Sequence, residues 1–143
     1  MRKIIDGDVS LRKLHLTELF DLSDVKVVGD FDCSYNTLTS LRGSPHTVGS
    51  NYYCHDNILT SLKGGPHTVD RVFDCSNNKL TNLIGAPKTV HLSFVCDGND
   101  LTSLEGITTF IGGGFYIDKK LKDKFPEKYI RSLCTIKGRV RYI

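Results

Sequence analysis

Four cysteines recur at one constant interval, and each lies in the same local sequence. They are Cys33, Cys54, Cys75 and Cys96, which sets a 21-residue repeat. An aromatic residue precedes each cysteine by two positions, and an asparagine follows it by three. Each copy continues as Leu-Thr-x-Leu-x-Gly, and Gly-x-Pro closes the first three copies. A fixed period between about 20 and 29 residues predicts a solenoid, in which each repeat is one coil stacked on the next.

The repeat continues beyond these four copies in both directions. Upstream, Gly7-Asp8-Val9 matches Gly29-Asp30-Phe31, at an offset slightly longer than the repeat. Downstream, Ile111 continues the valine series of the repeats, Phe115 continues the aromatic series, and Ile117 takes the cysteine position. The pattern therefore predicts a mainly β solenoid of five to six coils, followed by a C-terminal cap.

The chain divides into three parts within a single domain. We expect an N-terminal capping repeat at residues 1–27, regular 21-residue repeats at 28–118 and a basic C-terminal cap at 119–143. A cap is needed because the last coil of an open solenoid otherwise exposes apolar side chains to water.

The repeat resembles the leucine-rich repeat, whose coil reads Leu-x-x-Leu-x-Leu-x-x-Asn/Cys-x-Leu. The closest match here is Tyr52-x-Cys54-x-x-Asn57-x-Leu59-x-x-Leu62, and the resemblance covers residues 7–118. It implies short parallel strands on one face of the solenoid. The Gly-x-Pro return has no room for a helix, so irregular return loops are expected. The repeat is also similar to repeat proteins of large tailed bacteriophages and some bacteria.

The asparagine and cysteine series are predicted to be structural. Asn36, Asn57, Asn78 and Asn99 fit an internal ladder that bonds turn backbone groups, because buried peptide groups need partners. A linear row of thiols cannot converge on one metal ion, and no Cys-x-x-Cys pair is present;. An odd total of 5 cysteines, with Cys134 as the last, suits a reducing compartment;. We therefore expect buried free thiols, no metal and no cofactor.

Composition excludes several classes of protein. No apolar run approaches the length of a membrane span, and the N-terminal residues are too acidic for a secretory signal;. No nucleophile elbow, Walker loop or His-Glu-x-x-His motif occurs;. These absences predict a cytoplasmic protein that is not an enzyme. If the phage resemblance holds, the compartment is the host cytoplasm.

The side chains between the buried anchors are the candidate binding residues, because strand side chains alternate in and out. They are Asp30, Asp32, Tyr35, Tyr53, His55, Asp56, Asp74, Asn77, Val95, Asp97, Tyr116 and Asp118. Tyrosines within an anionic surface are typical of recognition sites. We expect this strand face to bind a protein partner with a basic surface. The phage resemblance implies a host protein as the target, inhibited as a counter-defence; the alternative is an ordinary solvated strand face.

Charge is segregated along the chain, and this leaves two further alternatives. Residues 28–118 carry five basic and nine acidic side chains, whereas residues 119–143 carry nine and two. The basic segment also contains Phe125, Tyr129 and Tyr142, a composition compatible with nucleic-acid binding;. We favour a cap, because Ile130, Leu133 and Ile136 give the segment an apolar side. The other alternative is a structural subunit of a phage particle.

Overall fold

The computed structural model describes residues 3–143 as a stack of coils bounded by two parallel β-sheets. Each sheet has seven strands of two or three residues. In stack order, sheet A contains β1 (Lys3–Ile5), β3 (Val25–Val27), β5 (Thr47–Val48), β7 (Thr68–Val69), β9 (Thr89–Val90), β11 (Phe110–Ile111) and β13 (Thr135–Ile136). Sheet B contains β2 (Val9–Ser10), β4 (Phe31–Asp32), β6 (Tyr52–Tyr53), β8 (Phe73–Asp74), β10 (Phe94–Val95), β12 (Phe115–Ile117) and β14 (Val140–Tyr142).

Every coil contributes one strand to each sheet, and the strands pair at the spacing of the repeat. Phe31 pairs with Tyr52, and Val48 pairs with Val69, each one repeat along the chain. The first coil has the longer offset, with Val9 opposite Phe31, as the alignment of residues 7–9 predicts. We number the coils from coil 1, which begins at β1, to coil 7, which begins at β13.

The fold class is confirmed, with two differences of detail. The solenoid has seven coils instead of five to six, because the chain after residue 118 returns to the stack and adds β13 and β14. It also has a second sheet on the return side, where irregular loops were expected. The Thr-Val pairs that follow each Gly-x-Pro or its equivalent stack as parallel strands. Val25–Val27, placed by the sequence in the N-terminal capping repeat, begins coil 2.

Five apolar anchors from each interior coil form one continuous core. In coil 3 these are Val48, Tyr52, Cys54, Leu59 and Leu62, all with no exposed surface. Their aromatic members stack between coils with ring centroids 5.2 to 5.6 Å apart. A single coil cannot offset its own ordering entropy, of about 1–2 kcal/mol per residue, so stability depends on this contact between neighbours.

The predicted asparagine ladder is confirmed. Asn57 Nδ2 donates to the carbonyl of Cys54 in its own coil and to that of Cys33 in the preceding coil, each at 3.1 Å. Its Oδ1 accepts the N–H of Leu38 at 3.0 Å. Asn36, Asn78 and Asn99 make the equivalent bonds. The amide side chains therefore satisfy backbone groups at the turn after sheet B, where the strand ladder ends.

The glycine of each Leu-x-Gly turn is required for two reasons. Gly64 has φ +85°, a left-handed conformation that side chains disfavour;. A Cβ atom there would lie 2.7 Å from Arg42 Cα in the preceding coil. The same position in the next coils is Gly85 and Gly106.

The C-terminal residues finish coil 6 and form coil 7. After β12 the chain makes a short 3-10 helix (Lys119–Leu121) and helix α1 (Glu127–Leu133) before it reaches β13. Phe125 and Ile130 are buried against the stack. Neither helix among residues 3–143 has the length and apolarity that crossing a lipid bilayer requires.

Candidate protein-binding face on sheet B

The outward side chains of sheet B form a single row in register along the stack. From the first coil to the last, the row is Ser10, Asp32, Tyr53, Asp74, Val95, Tyr116 and Arg141. The inward neighbours Phe31, Tyr52, Phe73, Phe94 and Phe115 are fully buried, so the row points away from the core;. Adjacent members are about 4.8 Å apart along the sheet.

The other candidate residues border this row. Asp30 precedes its strand, and His55, Asp97 and Asp118 follow the buried cysteine position or its equivalent. Tyr35, Asp56 and Asn77 occupy the next position, just before the asparagine ladder. All of the candidate residues therefore lie along one side of the solenoid, and none is buried.

Three aromatic side chains are brought together at coils 2 and 3. The His55 ring contacts Tyr35 and Tyr53 edge-to-face, with centroid distances of 5.3 and 5.9 Å. His55 Nδ1 also lies 2.7 Å from Asp56 Oδ2, which fixes the imidazole between the two tyrosines. Edge-to-face aromatic contacts hold the rings in a defined arrangement. We call Tyr35, Tyr53 and His55 the aromatic cluster.

Tyr35 has an unusual backbone conformation for its residue type. It lies in the left-handed region with φ 55°, at a repeat position where the preceding coil has Lys13, also left-handed, and later coils have Asp56, Asn77 and Gly98. Asp, Asn and Gly tolerate that region, whereas a tyrosine there is strained by roughly 1 kcal/mol. The Tyr35 side chain is nevertheless 42% exposed, so burial in the core does not compensate for the strain. Strain kept at an exposed aromatic residue is a reason to suspect a functional role.

Two cationic side chains from coil 1 lie over the Tyr35 ring. Arg12 Cζ is 4.6 Å and Lys13 Nζ is 5.2 Å from the ring centroid. These cation–π contacts orient the ring and restrict its motion. The sequence prediction omitted Arg12 and Lys13. The sequence did contain a signal for this contact. The longer offset between coils 1 and 2 places Lys13 at the turn position equivalent to Tyr35, in the neighbouring coil.

Several of the predicted binding carboxylates also stabilise turns. Asp32 Oδ1 accepts hydrogen bonds from the Ser34 N–H at 2.9 Å and from the Ser34 hydroxyl. Asp74 bonds Ser76 in the same way. Asp30 Oδ1 accepts the Asn51 N–H of the next coil at 2.9 Å. The second oxygen of each carboxylate takes no part in these bonds. One oxygen can therefore stabilise the turn while the other contacts a partner.

Aspartates are concentrated in the middle of the face and cations at its two ends, while coil 1 also has Asp8 at the position of Asp30, and Arg71 of coil 4 acts on Asp30 and Tyr53. Coils 2 to 6 contribute Asp30, Asp32, Asp56, Asp74, Asp97 and Asp118. Coil 1 contributes Arg12 and Lys13, and coil 7 contributes Arg139 and Arg141. We call the six aspartates the acidic belt.

Neighbouring carboxylates contribute, after partial burial, to raised pKa values at Asp97 and Tyr53. Partial burial, together with the carboxylates of Asp118 and Asp74, raises the pKa of Asp97. Partial burial and the carboxylates of Asp30 and Asp74 likewise raise the pKa of Tyr53. Burial by itself raises the pKa of Asp30, but hydrogen bonds from Asn51 hold it below its usual value. A cationic partner group would therefore be attracted to the middle of the row.

The cysteine ladder offers no reactive group to this face. Cys33, Cys54, Cys75 and Cys96 are free and fully buried. Burial raises the pKa of Cys33 to about 12, and it raises the pKa of the other three well above the usual range. Such thiols are weak nucleophiles. No group of three or more potential metal ligands occurs in the part of the chain that the structure describes.

Comparisons with protein-family models, with curated proteins and with solved structures found no match to this chain.

Proposed function

We propose that this protein is a non-enzymatic binding module that captures a basic surface of another protein on sheet B. The aromatic cluster carries the proposal, because it combines the exposed ring of Tyr35 with the partly buried rings of Tyr53 and His55, in a fixed geometry and with a strained backbone at Tyr35;. Tyrosines that are held rigidly lose little conformational entropy on binding, which suits them to act as anchors in an interface.

The charge pattern supports a protein partner with cations at the centre of its contact region. Arg or Lys side chains of the partner would meet the acidic belt, while Arg12 and Arg141 at the two ends would disfavour cations placed further out. Such an arrangement favours one position along the stack over its neighbours, because a shift by one coil brings like charges together.

The similarity of the repeat to phage-encoded repeat proteins extends the proposal to a host protein in the host cytoplasm, such as a defence protein. On that proposal, the effect on the target is steric or electrostatic, since the face offers no activated nucleophile. That the repeat is of the leucine-rich type is also a proposal, and it identifies no further binding residue.

The test is capture from a host lysate with the intact chain, followed by identification of the bound protein and measurement of its affinity. A Tyr35→Ala/Tyr53→Ala double variant is expected to lose the captured protein. A Thr68→Ala/Lys88→Ala variant on the sheet A side is the matched control and is expected to retain it. Capture that depends on Thr68 and Lys88 instead would overturn the assignment to sheet B.

Nucleic-acid binding by the C-terminal segment is a second candidate, supported by the exposure of its cations. Lys119, Lys120, Lys122, Lys124, Lys128, Lys137, Arg139 and Arg141 are all exposed. Binding of this kind weakens steeply with salt, because phosphate contacts release counterions. Titration of labelled single- and double-stranded oligonucleotides at two salt concentrations tests it. Affinity that is insensitive to salt, or absent, would eliminate this candidate.

A further inference from the structure

The two ends of the solenoid differ, because at the C-terminal end a side chain covers the strand edge to which a further coil would add. We call this contact the Arg131 stop. Arg131 on α1 donates from Nη1 to the carbonyl of Ile136 and from Nη2 to the carbonyl of Gly138, each at 2.8 Å. Its Nε bonds Glu127 Oε2, also at 2.8 Å, which holds the guanidinium in place.

The two carbonyls bonded by Arg131 are those that another coil would use. One coil earlier, the equivalent carbonyls of Ile111 and Gly113 accept the N–H groups of Lys137 and Gly138, each at 2.9 Å. The guanidinium therefore occupies the hydrogen-bonding position of an eighth coil on sheet A. A strand cannot add to that edge without displacing it.

Coil 1 has no comparable stop among residues 3–143. There, β1 pairs only with β3, and β2 pairs only with β4. The N–H groups of Val9 and Leu11 donate to coil 2, so the alternation of the strand directs the Ser10 backbone groups away from the stack;. Exposed strand edges of this kind are sites for pairing with another chain.

The apolar anchors of coil 1 are also incompletely covered. Ile5, Val9, Leu11 and Leu16 are only partly buried, whereas the equivalent residues of coil 2 have no exposed surface. Leu14 occupies the position of the asparagine ladder and is 52% exposed. In every later coil of the ladder, the asparagine bonds a carbonyl of the preceding coil. Coil 1 has no preceding coil among residues 3–143, and the apolar Leu14 at this position is suited to contact with an apolar surface.

We infer that the N-terminal end of the solenoid is a homodimer interface, in which coil 1 of one molecule packs on coil 1 of a second copy. A two-fold axis makes the contacting strand edges antiparallel, a favourable pairing geometry. Residues 3–24 carry charges of both signs, so like ends do not repel strongly. One coil also provides about the 20–30 residues per side that a stable interface uses. The Arg131 stop blocks head-to-tail growth at the sheet A edge, which favours a closed dimer.

The test is the mass of the intact 143-residue chain in solution, measured by sedimentation equilibrium or light scattering over a wide range of protein concentrations. A dimer is expected for the parent. Leu14→Arg places charge in the apolar contact, and Ser10→Pro removes an N–H that no intramolecular strand bond uses. Each is expected to weaken the dimer about tenfold or more, with the melting temperature of the monomer unchanged.

One matched variant keeps the result interpretable. Ile58→Arg changes a similarly exposed apolar residue, 43% exposed on coil 3 away from both ends, and is expected to leave the dimer intact. A monomeric parent at all concentrations, or a dimer that survives Leu14→Arg and Ser10→Pro, would overturn the interface.

The stop is tested separately. Arg131→Ala is expected to produce species larger than the dimer, because it frees the sheet A edge of coil 7, whereas Lys128→Ala on the same helix is expected to remain dimeric. An Arg131→Ala protein that forms only dimers would show that Arg131 does not block growth.

Discussion

The outward rows of sheet A and sheet B occupy the same kind of position but differ in how uniform they are. In sheet A, the central coils repeat one residue, with Thr47, Thr68 and Thr89 in register. In sheet B, the same three coils have Tyr53, Asp74 and Val95. The two rows have the same strand geometry and the same coil spacing, so secondary structure alone does not account for the variation.

Threonine is a residue that strand geometry favours without any partner, because its branched side chain packs well on a pleated surface. Identical threonines are therefore expected at a repeat position whose only role is to form a strand. The sheet B row departs from that choice at every central coil, and it places carboxylates and aromatic rings side by side. On our proposal, the uniform face is retained for folding alone and the varied face is the one that binds a partner, and this contrast adds support to the aromatic cluster.

The largest effect is expected inside the core, beneath both faces. Cys75→Asp buries a carboxylate in the apolar core without a partner, and we expect a loss of more than about 4 kcal/mol of stability, enough to unfold the middle of the stack;. Cys75→Ala removes only the sulfur and is expected to cost about 1–2 kcal/mol. Thermal melting with and without reductant measures both. An Asp variant that melts like the parent contradicts the buried-thiol assignment.

The next effect separates the two faces directly. Tyr53→Ala with Asp74→Asn is expected to weaken partner binding by roughly 2–4 kcal/mol, since aromatic anchors and charge pairs dominate interfaces. Asn at position 74 keeps an oxygen to accept the Ser76 hydrogen bonds, so the turn is preserved while the charge is removed. Thr68→Ala with Thr89→Ala is the control on sheet A. Equal losses from both pairs would mean that the faces do not differ in function.

Sequence periodicity was sufficient for the parts of the fold that repeat without interruption. The anchors, the asparagine ladder and the register of coils 2 to 6 follow from the constant repeat interval, because stacked coils must place equivalent residues side by side;. Sheet A was not predicted, since a two-residue Thr-Val strand beside proline has too short a pattern to recognise. Coil 7 was not predicted, since α1 is inserted before β13 and lengthens the interval, so that Phe110 pairs with Thr135.

The candidate site was predicted as a set of residues but not as an arrangement. Strand alternation places Tyr53 and Asp74 outward, whereas the contact of Arg12 with the Tyr35 ring joins two coils and depends on side-chain conformation. The left-handed backbone at Tyr35 is shared with Asp56, Asn77 and Gly98, so the repeat contained a signal for it, although the tyrosine itself argues against that conformation. The cation–π contact is the local departure from the repeat, and periodicity describes only what the coils share.

A smaller effect tests whether strain at Tyr35 serves binding. Tyr35→Asn and Tyr35→Ala both remove the ring and its contacts with Arg12 and His55, but only asparagine tolerates the left-handed backbone. We expect the Asn variant to be more stable than the Ala variant by about 0.5–1 kcal/mol in chemical denaturation, with partner binding weakened equally in both. Retained binding in the Asn variant would show that the ring is not an anchor.

The smallest effect concerns the acidic belt and depends on pH. Partial burial and the neighbouring carboxylates raise the pKa of Asp97 in the folded protein, so its ionisation opposes folding;. Asp97→Asn is therefore expected to be more stable than the parent at neutral pH. The difference should shrink as the pH falls through the raised pKa and vanish below the usual aspartate value, where the parent side chain is neutral in both states. Denaturant unfolding of the two proteins from neutral to acidic pH measures the trend. A stability difference that is constant with pH would mean that neither burial nor the neighbouring carboxylates raise the pKa of Asp97 in the folded protein.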